Sequence, residues 1–282
     1  MMSTSSSISH SSCFLCGSME IEKLFIGDIM VLKCGSCEFQ NIPNSRDILG
    51  EDWFQKYYEN DRKSDTKKNN DREKQYKVDA KFLSEYLNDD NFLLDVGCSH
   101  GGFISAIHEL GSGINMHGID IDPSAIKEAN RRFSQIADFD EKNLLELNPK
   151  NQYDIVTFRG TLQYLNENLH DSLDHIKTML HMNSKIVIFS LPSTDSFIYY
   201  LMREKWPLFH PEMSLMFNEN SIKKLASIHN FRIERLEYPY INEVYSNRNS
   251  DYERVIEMIK KGDYENSVPF IGSVMTIVLS KL

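Results

Sequence analysis

The sequence lacks any long hydrophobic run. No apolar stretch approaches the ~18 residues that a helix needs to cross a bilayer, which excludes a membrane-spanning helix of ordinary length. The first residues, MMSTSSSISHSS, have neither a cationic n-region nor an apolar h-region, so we do not expect them to form a signal peptide. We predict a disordered Ser-rich tail over 1–11 and a cytoplasmic location.

The sequence also lacks a surplus of positive charge. It has 31 Lys and Arg against 41 Asp and Glu, for a net charge of −10. Binding along a phosphate backbone requires a basic surface, so this balance argues against a nucleic-acid partner. The basic side chains between 63 and 74 alternate with acids, a pattern more typical of a solvated linker or helix face. A small molecule is the favoured partner.

Cysteine is scarce, but four of the five cysteines form two C-x2-C pairs, CFLC and CGSC, at a spacing typical of a structural zinc site. Four thiolates complete a closed tetrahedron, so the metal would be structural and not catalytic. Disulfides would need an oxidising compartment, and a redox C-x-x-C normally occurs singly. We therefore predict a Zn²⁺-binding module over 12–42, with a hairpin turning at Gly27-Asp28. Its predicted ligands are Cys13, Cys16, Cys34 and Cys37. Mutation of Cys34 to serine should loosen 12–42 without affecting Asp95 or Gly97.

The rest of the chain alternates between strand and helix patterns. Residues 43–75 read as an aromatic helix followed by a charged linker, and 76–282 as one α/β domain with an insertion at 242–268. Strands that alternate with helices indicate a parallel sheet covered on both faces. A single helix is predicted over TLQYLNENLHDSLDHIKTML, between the fourth and fifth strands of this domain.

The first strand of this domain runs into a glycine-rich turn, LLDVGCSHGG. A dinucleotide site would have G-x-G-x-x-G there, but Ser99 occupies the middle glycine position and Asp95 closes the strand. A carboxylate at that point would repel a pyrophosphate, whereas it suits a ligand with an ammonium and a sulfonium. S-adenosylmethionine (SAM) is such a ligand. Asp120, at the end of the second strand, is placed to accept both ribose hydroxyls.

Three segments in this order, DVGCSHGGF, GIDIDPSAI and YDIVTFRGTLQYL, resemble the class I SAM-dependent methyltransferases. The resemblance is greatest to a bacterial subgroup with an N-terminal four-cysteine zinc module, and it extends from Cys13 to the C-terminal strand. It implies a seven-stranded Rossmann-like sheet with helices on both faces, plus the small zinc module. Members of this subgroup often modify sugars or other small molecules in surface-polysaccharide or natural-product pathways.

The resemblance also implies a set of cofactor contacts. Asn143 falls where the family usually has an Asp that meets the adenine amine, and Ile121 lies beside the adenine. Gln163 and Tyr164 stand where relatives often have Glu-His. The implied cofactor-binding residues are Asp95, Gly97, Cys98, Gly101, Asp120, Ile121, Asn143, Phe158 and Arg159.

Acceptor chemistry is less sharply indicated. A hydroxyl acceptor needs a proton acceptor, and the candidates are Tyr164, His170 and His210; we favour His210 as the base, with Tyr164 positioning the acceptor. His210 lies in FIYYLMREKWPLFHP, a segment interpreted as a substrate lid, with a membrane-touching amphipathic helix as the alternative. Two further tyrosines, Tyr57 and Tyr58, either face the substrate or pack the zinc module.

The sequence thus predicts a SAM-dependent methyltransferase acting on a small molecule, with a sugar or sugar-linked hydroxyl or amine as the favoured acceptor. Two alternatives remain: a zinc-ribbon binding or scaffold protein with a SAM-type domain, and an RNA methyltransferase. Cys98 is interpreted as a packing residue in preference to a nucleophile. The acceptor atom and the oligomeric state stay open.

Overall fold

A computed structural model of the chain describes residues 11–43, 45, 66–111, 113–206, 208–210, 212–239, 253, 256–257, 259–262 and 272–282. Tyr57, Tyr58 and most of the insertion at 242–268 lie outside the described residues, so the roles assigned to them stay predictions.

The described elements are eleven strands, six α-helices and several short 3-10 turns. The strands are β1 (Ile21–Ile26), β2 (Ile29–Cys34), β3 (Gln40–Asn41), β4 (Phe92–Val96), β5 (Asn115–Asp120), β6 (Asp138–Glu141), β7 (Tyr153–Arg159), β8 (Leu180–Pro192), β9 (Leu215–Met216), β10 (Phe231–Glu237) and β11 (Val274–Lys281). The helices are α1 (Thr66–Leu83), α2 (Gly102–His108), α3 (Pro123–Phe133), α4 (Leu169–Thr178), α5 (Phe197–Met202) and α6 (Glu219–Ile228). None of the described helices is both long and apolar enough to cross a membrane.

The central sheet has seven strands in the order β6-β5-β4-β7-β8-β11-β10. Neighbouring strands from β6 to β8 pair in parallel, whereas β11 runs antiparallel to both β8 and β10. The chain leaves β4 toward β5 on one side and later returns as β7 on the other. Ligands bind beyond the carboxyl ends of the strands at such a reversal. The predicted seven-stranded Rossmann-like fold is confirmed.

Helix boundaries follow local capping. Asp122 accepts a hydrogen bond from the Ser124 amide at 2.8 Å and Pro123 opens α3, as its DPSA sequence predicts. The single helix predicted between β7 and β8 is wrong in its first part. Residues 162–168 form two 3-10 turns, and α4 begins only at Leu169, because Asn166 adopts a positive φ of 50° that an α-helix does not allow.

The cysteine segment forms a second, four-stranded sheet in the order β1-β2-β3-β9. The predicted hairpin is confirmed, since Ile26 pairs with Ile29 around Gly27-Asp28. The fourth strand, β9, comes from the segment between β8 and α6, about 175 residues further along the chain. The sheet of the predicted module is therefore completed by a strand of the α/β domain.

The two sheets share one hydrophobic core. Leu15 and Phe39 of the cysteine segment belong to the same buried cluster as Leu94 and Val96 of β4. The segment interpreted as a lid packs in a second buried cluster: Tyr199 and Trp206 are buried against the β1-β2 hairpin, and the Tyr199 hydroxyl donates to Gln40 Oε1 at 2.7 Å. The cysteine segment therefore packs against the α/β domain as part of the same fold.

Candidate cofactor site and cysteine cluster

The turn after β4 is built from three residues with positive φ: Gly97 at 76°, Ser99 at 49° and Gly101 at 75°. A Cβ on Gly97 would lie 2.3 Å from Thr161 Oγ1, so only glycine fits. Ser99 occupies the left-handed region at a cost of about 1 kcal/mol or more. It is held there because its amide donates to Asp120 Oδ2 at 2.8 Å.

Asp120 organises the end of β5. Besides the Ser99 amide, its Oδ1 accepts the Asp122 amide at 2.9 Å, so one carboxylate fixes the turns after β4 and β5 together. A carboxylate offers about four lone-pair sites. Each oxygen of Asp120 can therefore accept more than one hydrogen bond.

A cavity of about 330 Å³ lies at the carboxyl ends of β4, β5 and β7. This volume is at the lower end of the range usual for small-molecule sites. Seven of the nine predicted cofactor residues line it, and the structure brings them together from four separate segments of the chain: Asp95, Gly97, Cys98, Asp120, Ile121, Asn143 and Arg159.

The other two predicted cofactor residues lie elsewhere. Gly101 caps the start of α2, and a Cβ there would lie 3.0 Å from the rings of Phe133 and Phe139. Phe158 is fully buried in the core beneath the sheet end. Neither belongs to the described lining of the cavity.

One end of the cavity suits a flat apolar ring with a polar edge. Ile121 leaves half of its surface exposed there, and Leu144 forms part of the same wall. The side-chain Oδ1 of Asn143 accepts a hydrogen bond from the backbone N–H of Leu145 at 3.0 Å. The backbone N–H of Asn143 donates to Glu146 Oε2 at 2.9 Å. This capping box holds the Asn143 side chain at the cavity rim.

The wall of the cavity also holds a buried carboxyl group. Asp95 is 1% exposed and accepts a hydrogen bond from Thr157 Oγ1 at 2.7 Å. Burial raises the pKa of Asp95 to about 6, although the Thr157 hydroxyl and the Arg159 charge oppose the shift. For the free protein, the stability that this raised pKa contributes is present below about pH 4 and is lost as the pH rises through about 6.

A cationic ligand should bind more tightly when Asp95 is ionised, that is, at a pH above the pKa of this carboxyl group, because opposite charges attract. We expect affinity for SAM to be greatest near pH 7 and to fall by up to tenfold per unit below pH 6. Isothermal titration across this range measures the change. Asp95→Asn should bind weakly at neutral pH and show no acid limb; an acid limb unchanged in that variant would assign it to another group.

Arg159 sits between the cavity and α1. Its Nε donates to Asp79 Oδ2 at 2.8 Å, and its guanidinium carbon lies 4.3 Å from the centre of the Tyr76 ring. Asp79 is 1% exposed, so this is a buried ion pair that fixes α1 over the cavity. Sequence analysis missed Tyr76 and Asp79, the two α1 residues that contact Arg159, although their i, i+3 spacing places them on one helix face.

The catalytic candidates are not all brought together. Tyr164 lines the cavity, on the 3-10 turn after β7. His210 is exposed in the segment after α5 and is not part of the described lining. Cys98 is buried in the wall, and burial raises the pKa of its thiol well above the ordinary value, which keeps it protonated and favours the packing interpretation.

The four paired cysteines converge. The Sγ atoms of Cys13 and Cys37 are 3.7 Å apart, as are those of Cys16 and Cys34, and all four lie within 4.8 Å of one another. Tetrahedral ligation with Zn–S bonds of about 2.3 Å requires S···S separations of about 3.8 Å. The Cys37 amide also points at Cys34 Sγ at 3.4 Å, as a metal-binding turn requires. The donor set fits one zinc ion.

Comparison with known proteins agrees with this geometry. A methyltransferase domain family matches residues 69–236, which is more than half of the 282 residues. The chain therefore belongs to this methyltransferase family. A protein of Invertebrate iridescent virus 6 that carries a provisional methyltransferase name, 235L, is 30% identical over 149 residues. The match covers 48% of this chain and 56% of the viral protein.

Solved structures show the same fold. A SAM-dependent methyltransferase from Archaeoglobus fulgidus has a TM-score of 0.53 at 21% identity, covering 74% of this chain and 94% of that one. Magnesium protoporphyrin IX methyltransferase from Synechocystis, solved with bound SAH, has a TM-score of 0.53 at 14% identity, covering 75% of this chain and 84% of that one. The fold is that of the SAM-dependent methyltransferases.

Proposed function

We propose that this protein transfers a methyl group from SAM to a small molecule, with a sugar or sugar-linked hydroxyl or amine as the acceptor. The observation that carries the proposal is the pair of buried carboxylates, Asp95 and Asp120, in the wall of one cavity at the sheet reversal. Such a wall disfavours a phosphate-bearing nucleotide and favours a cationic nucleoside. The acceptor class rests on the sequence resemblance.

Each wall residue has a binding role in this proposal. Asp120 accepts the two ribose hydroxyls, Ile121 packs on the adenine, and Asn143 meets the adenine amine. Asp95 faces the ammonium end. The bound sulfonium supplies an electrophilic methyl group, and the chain accelerates transfer mainly by holding acceptor and cofactor in line.

We further propose that Cys13, Cys16, Cys34 and Cys37 hold one structural zinc ion. The support is the convergence of the four Sγ atoms within 4.8 Å of one another, three of them on buried side chains. With four protein ligands the ion has no open position, so its contribution is to the fold.

Binding of SAM is the first experiment. Isothermal titration should give a 1:1 complex, and incubation with methyl-labelled SAM and sugar-nucleotide or glycoside acceptors should transfer the label. A protein that binds no SAM near neutral pH would contradict the enzyme proposal and favour a scaffold role. Label transferred only to RNA would instead support the RNA methyltransferase alternative.

The general base is tested by two variants. If the segment after α5 closes on the acceptor, His210→Ala should lower kcat on the order of 10²-fold with unchanged SAM affinity. Tyr164→Phe should mainly raise the KM for the acceptor, because Tyr164 already lies in the wall. Near-wild-type turnover of the histidine variant would point to an amine acceptor or another base.

A further inference from the structure

Two polar side chains at the start of α4 line the cofactor cavity, Asn168 and Ser172. Asn168 is the N-cap residue of α4, and Ser172 lies one turn further along the same helix. Residues four apart on a helix are neighbours on its surface, so the two side chains lie side by side. Together they give this wall of the cavity one amide group and one hydroxyl group.

The hydroxyl group of Ser172 is buried without a partner. The residue is 1% exposed, and its hydroxyl makes no hydrogen bond to any residue that the structure describes. Burial of a polar group costs stability unless a hydrogen bond compensates it, so nearly all such groups in native proteins are bonded. A ligand in the cavity that Ser172 lines would supply the missing bond.

Asn168 lacks the bond that its position normally provides. Asparagine is favoured at an N-cap because its side chain accepts a backbone amide of the first turn. Asn218 does so at the start of α6, where it accepts the Ser221 amide at 2.9 Å. Asn168 makes no capping bond, and its side chain bonds no other residue in the described part of the chain. Helix capping therefore does not explain this asparagine.

The packing of α4 places the pair at the end of the cavity that suits a flat ring. The helix contacts the 3-10 turn Leu144–Glu146, whose first residue and its neighbour Asn143 line the same cavity. His175, three residues after Ser172, lies with Nε2 3.0 Å from the Leu147 carbonyl oxygen. The helix face that carries the pair is thus held against the segment where the adenine is proposed to bind.

We propose that Asn168 and Ser172 hydrogen-bond the edge of the cofactor's adenine and make the site specific for an aminopurine base. This inference rests on the proposed function, because it requires SAM in this cavity. The edge of adenine presents an amino group that donates beside ring nitrogens that accept, and an asparagine side chain matches such a donor–acceptor pair. The Ser172 hydroxyl both donates and accepts, so it suits either kind of atom.

The two α4 residues would add to the contact assigned to Asn143. The side-chain oxygen of Asn143 already accepts the Leu145 amide, so this residue alone satisfies only part of an adenine edge. A site that bonds every polar atom of the edge rejects a base whose donors and acceptors are reversed, because buried groups are then left unpaired.

Ser172→Ala is the decisive variant, because a ligand-binding role and a structural role predict different effects on stability. Removal of a hydroxyl that has no partner in the free protein should leave the ligand-free Tm unchanged or slightly raised. The Kd for SAM should rise roughly three- to tenfold, the value of about one neutral hydrogen bond. Thermal unfolding and isothermal titration measure the two quantities.

Thr178→Ala is the matched control for this variant. It removes an exposed hydroxyl from the same helix, at a position outside the described lining of the cavity. Its Kd for SAM should equal that of the wild type. Asn168→Ala should weaken SAM binding as Ser172→Ala does, since no capping bond is lost with the side chain.

The base itself is tested with SAH and its deaminated analogue, in which hypoxanthine replaces adenine. The amino donor becomes a carbonyl acceptor and the adjacent ring nitrogen gains a hydrogen, so the edge is reversed. Wild type should prefer SAH by roughly tenfold or more. Asn168→Ala combined with Ser172→Ala should reduce this preference at least threefold.

Three results would overturn the inference: an unchanged preference in the double variant, a lowered ligand-free Tm in Ser172→Ala, or a Kd for SAM in that variant equal to the wild-type value. A raised KM for the acceptor at unchanged Kd for SAM would overturn it too, and would place the pair against the acceptor. In each of these cases wild-type SAM binding leaves the proposed function standing. Absence of SAM binding to the wild type would end both proposals.

Discussion

Asp120→Ala should weaken SAM binding by about 2–3 kcal/mol, or roughly 30- to 150-fold in Kd, because it removes a charged acceptor of two ribose hydroxyls. The structure adds a second cause. The same carboxylate accepts the amides of Ser99 and Asp122, so its loss also releases the turn after β4. The effect should therefore lie at or above the upper end of this range. Isothermal titration measures it directly.

The fold should survive this substitution, since Asp120 ends a strand beside a cavity that water can enter. Far-ultraviolet circular dichroism checks that point. Asp138→Ala is the matched control: it removes an exposed carboxylate from the adjacent strand β6 and should leave Kd unchanged. The Kd of Asp120→Asn for SAM should lie between those of Asp120→Ala and Asp138→Ala, because the side-chain carbonyl oxygen of asparagine can still accept a hydrogen bond. A Kd for Asp120→Ala within twofold of wild type would exclude the ribose from this strand end.

Cys34→Ser should remove the zinc ion and lower the stability of the whole protein, by about 3 kcal/mol or more, which is roughly 10 °C in Tm for a domain of this size. Sequence analysis alone predicted loosening limited to 12–42. The shared core changes that expectation: Cys34 packs in the same buried cluster as Leu94 and Val96, and β9 pairs with β3. Hydrogen exchange should rise in β9 and α4 as well as in the hairpin.

Elemental analysis should find one zinc per chain in the wild type and none in Cys34→Ser. Ser36→Ala, an exposed change in the same cysteine turn, is the control and should retain both metal and Tm. Absence of zinc from wild-type protein purified without chelator would end the metal proposal. Loosening confined to 12–42 would instead show that the two sheets unfold independently.

The elements of the cofactor site that sequence analysis predicted are those with local causes. Strand periodicity places Asp95 and Asp120 at strand ends, and parallel strands bring such ends to one edge of a sheet. The cysteine spacing predicts convergence of four thiols for the same kind of reason, since each pair is joined by its own tight turn. No contact between distant segments is needed to predict either feature.

Tertiary structure decided the rest, because those features depend on residues far apart in sequence that carry no periodic pattern. The pairing of β3 with β9 joins Gln40 to Met216, and it makes the cysteine segment part of the α/β core. Asp79 is 80 residues from the Arg159 that it neutralises. His170 meets Phe14 across 156 residues. Sequence by itself determined which chemistry this protein can hold at its strand ends; packing decided which side chains surround it, because burial and ion pairing arise only when distant segments close on one another.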